Sequence, residues 1–191
     1  MERDFIVRME FFSHVLDMVA QPVRLEFRND QGGPTYPYTP DFLVTYRTGH
    51  LGTYKNDRPR LVEVKPKKEW SENWRKWSSK WKIARRYAIE QGWEFRIYDE
   101  DRIRDTAFEN IKRLAPFKRS DVDPEDAKIV LKLLGDMGAA PINYVLTRYF
   151  GGNFRGRGLS LIWSLLANRA IDCDITAPLS ESTEIWIPHH G

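Results

Sequence analysis

The sequence predicts an α/β fold, a mixed sheet flanked by helices, followed by a small winged helix-turn-helix domain. Three observations predict it. Segments with the apolar periods of helix and strand succeed one another as α-β-β-β-α-β-α up to Leu114. A polar, charged stretch between Pro116 and Pro124 then interrupts the pattern, as a domain boundary does. Beyond it come three helical segments and a short hairpin, the make-up of a winged helix. The expected domains are therefore residues 1–116 and 117–191.

Each element has a local reason. Phe5, Met9, Phe12 and Leu16 recur at helical spacing, so a helix is expected from Glu2 to Val19. Gln21-Pro22 ends it, because proline disfavours helix in the residue before it. Val23 to Phe27 alternates as a strand does, and residues 29–34 carry turn chemistry. Tyr38 to Tyr46 is the next strand, with Asp41 near its start. A polar loop over 48–58 leads to the strand Arg60 to Lys65. A long helix, Ser71 to Glu90, stops at Gly92, and Trp93 to Tyr98 returns as a strand. Arg102 to Leu114 is a further helix. In the second domain the expected helices are Pro124 to Leu134, capped by Asp123, then Pro141 to Phe150, then Gly158 to Asn168. Ile171 to Ile175 and Thr183 to Ile187 form the hairpin.

The chemistry lies in the two strands after the turn. Asp41 follows Pro40, Glu63 comes 22 residues later (63 − 41), and Lys65 two after that. Residues two apart in a strand share a face, so Glu63 and Lys65 point the same way. If the strands pair, all three side chains converge. Two carboxylates and a lysine at a strand edge suit a Mg²⁺ ion beside a phosphate. Glu63 and Lys65 alone read better as an ion pair on a solvated strand, and Asp41 makes the two readings about even.

Composition narrows the class. A single cysteine, Cys173, excludes a disulfide framework and fits a reducing compartment. No apolar run approaches the length of a membrane span, and no signal-peptide core follows Met1, so a cytoplasmic location is expected. The net charge is only +3, which argues against a nucleic-acid coat protein. Yet Lys65 to Arg86 holds nine basic residues against Glu69 and Glu72, which points to a polyanion partner. Trp70, Trp74, Trp77 and Trp81 form one helical stripe. Trp77 and Trp81 are expected in the core. Trp70 and Trp74 are candidates for DNA or partner contact. Lys67, Lys68, Arg75, Lys76, Lys80 and Lys82 read equally as phosphate grips or as a solvated face. Arg155 and Arg157, at a helix start, are further candidates for DNA phosphates. The glycine-rich run 151–158 follows a helix and lacks a Walker lysine, so it is no nucleotide loop. The four histidines have no metal spacing, and the His189-His190 pair reads as a tail. Cys173 is expected to be packed rather than reactive.

Tyr38-Thr39-Pro40-Asp41-Phe42-Leu43-Val44 followed by Leu61-Val62-Glu63-Val64-Lys65 resembles the restriction-endonuclease-like nucleases. Glu2-Arg3-Asp4-Phe5, Gln21-Pro22 and the tail segments Ile171-Asp172-Cys173-Asp174 and Thr183-Glu184-Ile185-Trp186 narrow the resemblance to the TnsA family of transposase endonuclease subunits. The resemblance covers almost the whole chain. It implies a Mg²⁺-dependent DNA endonuclease, with Mn²⁺ able to substitute, that cuts the 5′ (non-transferred) strands at transposon ends. Asp41, Glu63 and the carbonyl of Val64 would bind metal, Lys65 would meet the scissile phosphate or the attacking water, and Glu2 would be the family's helix carboxylate. Family members carry residues ahead of that glutamate, whereas here it follows Met1, so its helix is expected to fray unless packed. The implied partners are transposon-end DNA, a TnsB-type transposase and, through the tail, a TnsC-type ATPase regulator. The third tail helix has few base-reading side chains, which agrees with protein docking. An autonomous restriction or resolvase nuclease, and a non-catalytic adaptor, are the alternatives.

Overall fold

The computed structural model describes residues 1–28, 33–47 and 58–188. The turn expected at 29–34 and the loop at 48–58 lie largely outside them, as do His50 and the His189-His190 pair. The chain forms two units, Met1–Arg104 and a second that begins at Asp105.

The first unit is built on a four-stranded mixed sheet. Helix α1 (Glu2–Phe11) leads into strand β1 (Val15–Ala20), and a two-stranded ribbon, β2 (Leu25–Phe27) and β3 (Tyr36–Tyr38), follows. Strands β4 (Phe42–Tyr46) and β5 (Arg60–Val64) come next, then helices α2 (Lys67–Glu72) and α3 (Trp74–Glu90), strand β6 (Glu94–Tyr98) and the short helix α4 (Glu100–Ile103). The sheet order is β1-β4-β5-β6, with only β5 and β6 parallel. Two apolar clusters cover its faces. Phe5 and Met9 of α1 and Ile103 of α4 pack with Phe42, Val44, Val62 and Val64. Trp81, Ala84 and Ala88 of α3 pack with Leu61 and Tyr38, and Phe95 and Ile97 join them. Covered on both faces, β5 is buried along most of its length.

Four expectations change here. The helix predicted over 2–19 stops at Phe11, and Val15–Ala20 is an edge strand paired with β4. Phe12 is already extended, and Leu16, counted in the helical spacing, is 60% exposed. The strand predicted over 38–46 is two strands in two sheets, parted at Thr39-Pro40-Asp41. The long helix begins at Lys67 and is interrupted at Asn73. The helix predicted over 102–114 is also two. Asp99 and Asp105 each accept a backbone N–H, from Arg102 and Phe108, and so start α4 and a second helix separately.

That second helix, α5 (Thr106–Leu114), belongs to the other unit, so the division falls 12 residues (116 − 104) ahead of the expected boundary. The reason is its packing. Asn110 of α5 donates to the carbonyls of Ile175 (3.0 Å) and Ala177 (2.8 Å) and accepts from Leu179 N (3.4 Å). The second unit continues with α6 (Pro124–Met137), capped by Asp123 as expected, β7 (Ala139–Pro141), α7 (Ile142–Tyr149) and α8 (Arg155–Ala167). Strands β8 (Asp172–Cys173) and β9 (Glu184–Trp186) pair as expected, and β7 adds an unpredicted third strand in the order β7-β9-β8. Leu161, Ile162, Trp163, Leu165 and Leu166 of α8 are all buried, which makes it the central helix. A Cβ on Gly158 would sit 2.4 Å from the Phe150 ring, so this close approach of α8 requires glycine.

Candidate active site

Asp41 and Glu63 meet at one end of the β4–β5 pair. The last paired residues are Phe42 and Val62, so Asp41 and Glu63 are opposed one step further on. Two backbone bonds fix Asp41. Its carbonyl accepts from Gln21 N (2.8 Å), and its Oδ2 accepts from Val64 N (2.7 Å). Gln21 holds a left-handed φ of 49°, uncommon for a residue with a side chain. The Gln21-Pro22 turn thus buttresses the aspartate as well as closing a segment.

Glu63 is 2% exposed, and a carboxylate so buried must be paired. Tyr38 Oη donates to its Oε2 at 2.7 Å. Lys80 Nζ lies 3.2 Å from Oε1, and Lys65 Nζ 4.0 Å from the same oxygen. Burial and the Glu63 charge push the Tyr38 phenol well above its ordinary value, so it remains a neutral donor. Burial pushes the Asp41 carboxyl up to about 6, and the charges of Glu63 and Glu2 add to the rise, while Val64 N–H and Lys65 oppose it. Asp41, Glu63 and Lys65 therefore converge, as the strand spacing predicts. Glu2 opens α1 close enough to act on Asp41 electrostatically, and Met1 ahead of it packs on the core.

Lys80 is what sequence reasoning misread. Read equally as a phosphate grip or as part of a solvated face, it turns inward to Glu63. Its place in the stripe was the available signal: Trp77, Lys80, Trp81 and Ala84 share the buried helix face, where a lysine is out of place.

The candidate donors are all oxygen: the carboxylates of Asp41 and Glu63 and, as expected from the resemblance, the Val64 carbonyl. That set fits Mg²⁺, which keeps several waters and needs few protein ligands. Among the described residues no three His, Cys, Asp or Glu side chains cluster closely enough to hold an ion by themselves. An acid held partly protonated by burial and neighbouring charge is one that a cation would relieve.

The expected DNA-contact residues divide into two groups. Lys68, Arg75 and Lys76 are exposed on α2 and α3, and Trp74 is 50% exposed. Trp70, Trp74, Trp81, Trp93, Arg85 and Arg96 line a groove of about 850 Å³ between α3 and the edge strand β6. Trp70 Nε1 is buried and meets no acceptor among the described residues. The others are occupied. Lys67 pairs with Asp101 (2.5 Å), Arg155 with Glu181 and Asn143, and Arg157 with Asp123 (2.8 Å) and Asp126 (2.6 Å). Cys173 is buried, which pushes its thiol up to about 12 and leaves it inert. No helix among the described residues is long and apolar enough to cross a membrane.

Two family models match. TnsA-like endonuclease N terminal covers residues 13–100, and TnsA endonuclease C terminal covers residues 102–175. They meet close to the division between the two units, and the first takes in Asp41, Glu63 and Lys65 but not Glu2. No curated protein matches the chain. With both halves of that endonuclease matched over most of its length, the chain belongs to the TnsA endonuclease family.

Proposed function

We propose that this chain is the endonuclease subunit of a heteromeric cut-and-paste transposase and hydrolyses the 5′ (non-transferred) strands at the transposon ends with Mg²⁺. The observation that carries the reading is the convergence of Asp41, Glu63 and Lys65 at one end of the sheet. Asp41, Glu63 and the Val64 carbonyl would hold the ion. Glu2, the family's helix carboxylate by resemblance, is not clustered with the two acids among the described residues and would act on Asp41 through its charge. A bound Mg²⁺ supplies an acidified water and neutralises charge at phosphorus. Asp41 is held in place by Val64 N–H, so little reorganisation is needed before reaction. Lys65, on the Glu63 face and more exposed than Lys80, is the cation free to reach the scissile phosphate or the attacking water.

DNA would cross the helix side of this end. Lys68, Arg75 and Lys76 offer phosphate contacts, and the exposed Trp74 ring, backed by Trp70 at 6.0 Å, offers a stacking face. Lys67, Arg155 and Arg157 reach DNA only by leaving their acidic partners. The tail is read as a winged-helix docking domain for a TnsC-type ATPase regulator. A TnsB-type transposase would cut the 3′ ends and join them to the target.

The product of transposition tests the reading. With Asp41→Ala, joining to the target persists but the element stays attached to its donor, and cointegrates replace simple insertions. Unchanged simple insertions from the mutant would contradict it.

A further inference from the structure

We propose that Lys80 is the resident counter-cation of Glu63, a positioning residue that holds the carboxylate until a divalent ion displaces it. The inference rests on reading Glu63 as a metal ligand. Oε1 of Glu63 has Lys80 Nζ at 3.2 Å, and the lysine side chain is only 15% exposed. The ammonium sits in an aromatic cage, 4.8 Å from the Tyr38 ring, 5.0 Å from Trp77 and 5.5 Å from Trp81. Each of those faces attracts a cation. Tyr38 closes the arrangement by donating to Oε2, so both Glu63 oxygens are engaged by the chain itself.

The cage has a stabilising role and a competing one. A carboxylate taken out of water needs a partner, and Lys80 supplies the opposite charge beside Glu63 inside the sheet. A hard divalent cation seeks the same oxygen directly. An ammonium and a divalent ion cannot share Oε1, since like charges a few ångströms apart in a poorly solvated site repel strongly. Ion entry therefore exchanges one cation for another, and the energy of the Lys80 cage is subtracted from metal affinity. Lys65, at 4.0 Å and outside the cage, is not bound to make this exchange.

The test is Mn²⁺ binding to the full chain at pH 8, by titration calorimetry. Lys80→Gln keeps a donor for Glu63 but removes the charge, and should bind Mn²⁺ about tenfold tighter than wild type. Lys80→Arg keeps the charge and should stay within about threefold of wild type. Glu63→Gln should lose binding. Lys80→Gln binding no tighter than wild type, with Glu63→Gln still defective, overturns the counter-cation role and leaves the metal reading standing. Glu63→Gln binding like wild type removes Glu63 from the metal site, and the proposal with it. A second measurement needs no mutant at Lys80 to fold. Ring currents of the cage should displace the Lys80 ε-methylene NMR signals in the metal-free protein, and saturating Mg²⁺ should return them toward the position of an exposed lysine. Signals that stay in place at saturating Mg²⁺ overturn the exchange.

Discussion

The two units of this chain bury polar groups in opposite ways. In the second, Asn110 is neutral and three hydrogen bonds engage its amide, clamping the segment 175–179 to α5. In the first, the buried Glu63 carboxylate is paired with a caged lysine, and Asp41 beside it is pushed up to about 6. A satisfied amide completes a fold and asks for nothing more. Two opposed carboxylates, one of them poorly compensated, store electrostatic cost that only a ligand or a proton relieves. The contrast separates a polar group that serves packing from one that serves chemistry.

Mutation should split the two along that line. Asp41→Ala or Glu63→Ala should lower end cleavage by at least about 1,000-fold in a reconstituted reaction, together with metal binding. Lys65→Ala should lower turnover by about 100-fold while metal affinity stays near wild type. Asn110→Ala should do the reverse. It strands two carbonyls and one N–H, so thermal unfolding of the second unit should show a loss of about 2–3 kcal/mol, with the metal affinity of the first unit untouched. Gly158→Ala drives a methyl into Phe150 and should cost about 1–3 kcal/mol in the same unit.

A smaller effect sharpens the comparison through pH. In the folded chain Asp41 holds its proton up to about pH 6, above the ordinary value of 3.8 for an aspartate. The fold therefore gains from that proton at low pH and loses the gain as pH rises through about 6. Asp41→Asn, still an acceptor for Val64 N–H, should raise the metal-free melting temperature at pH 7.5, and the advantage should fade by pH 4. No change of the difference with pH would mean that Asp41 is better compensated than its surroundings suggest.

Much of the site was legible in the chain because it is local. Alternation over Val62 to Lys65 puts Glu63 and Lys65 on one face, and proline before Asp41 marks a strand entrance. Lys80 and Tyr38 were not legible as partners of Glu63. They come from a helix 17 residues on (80 − 63) and a separate ribbon 25 residues back (63 − 38), and only packing joins them. Val15–Ala20 misled because its apolar residues suit helix and strand alike, and a bulge between Val15 and Asp17 breaks the two-residue period. Nothing local in residues 105–114 says which core α5 joins. That is settled by Asn110 meeting a segment more than sixty residues away.

Amide hydrogen exchange with and without Mg²⁺ tests the central claim most directly, since it reads both units in one experiment. Exchange should slow around Asp41 and at Val64 N–H, which bonds the Asp41 carboxylate, and stay unchanged in α5 and α8; Asp41→Ala should abolish the slowing. Exchange that Mg²⁺ leaves unaltered at Val64, or slows equally in the second unit, would contradict a metal site built on Asp41 and Glu63.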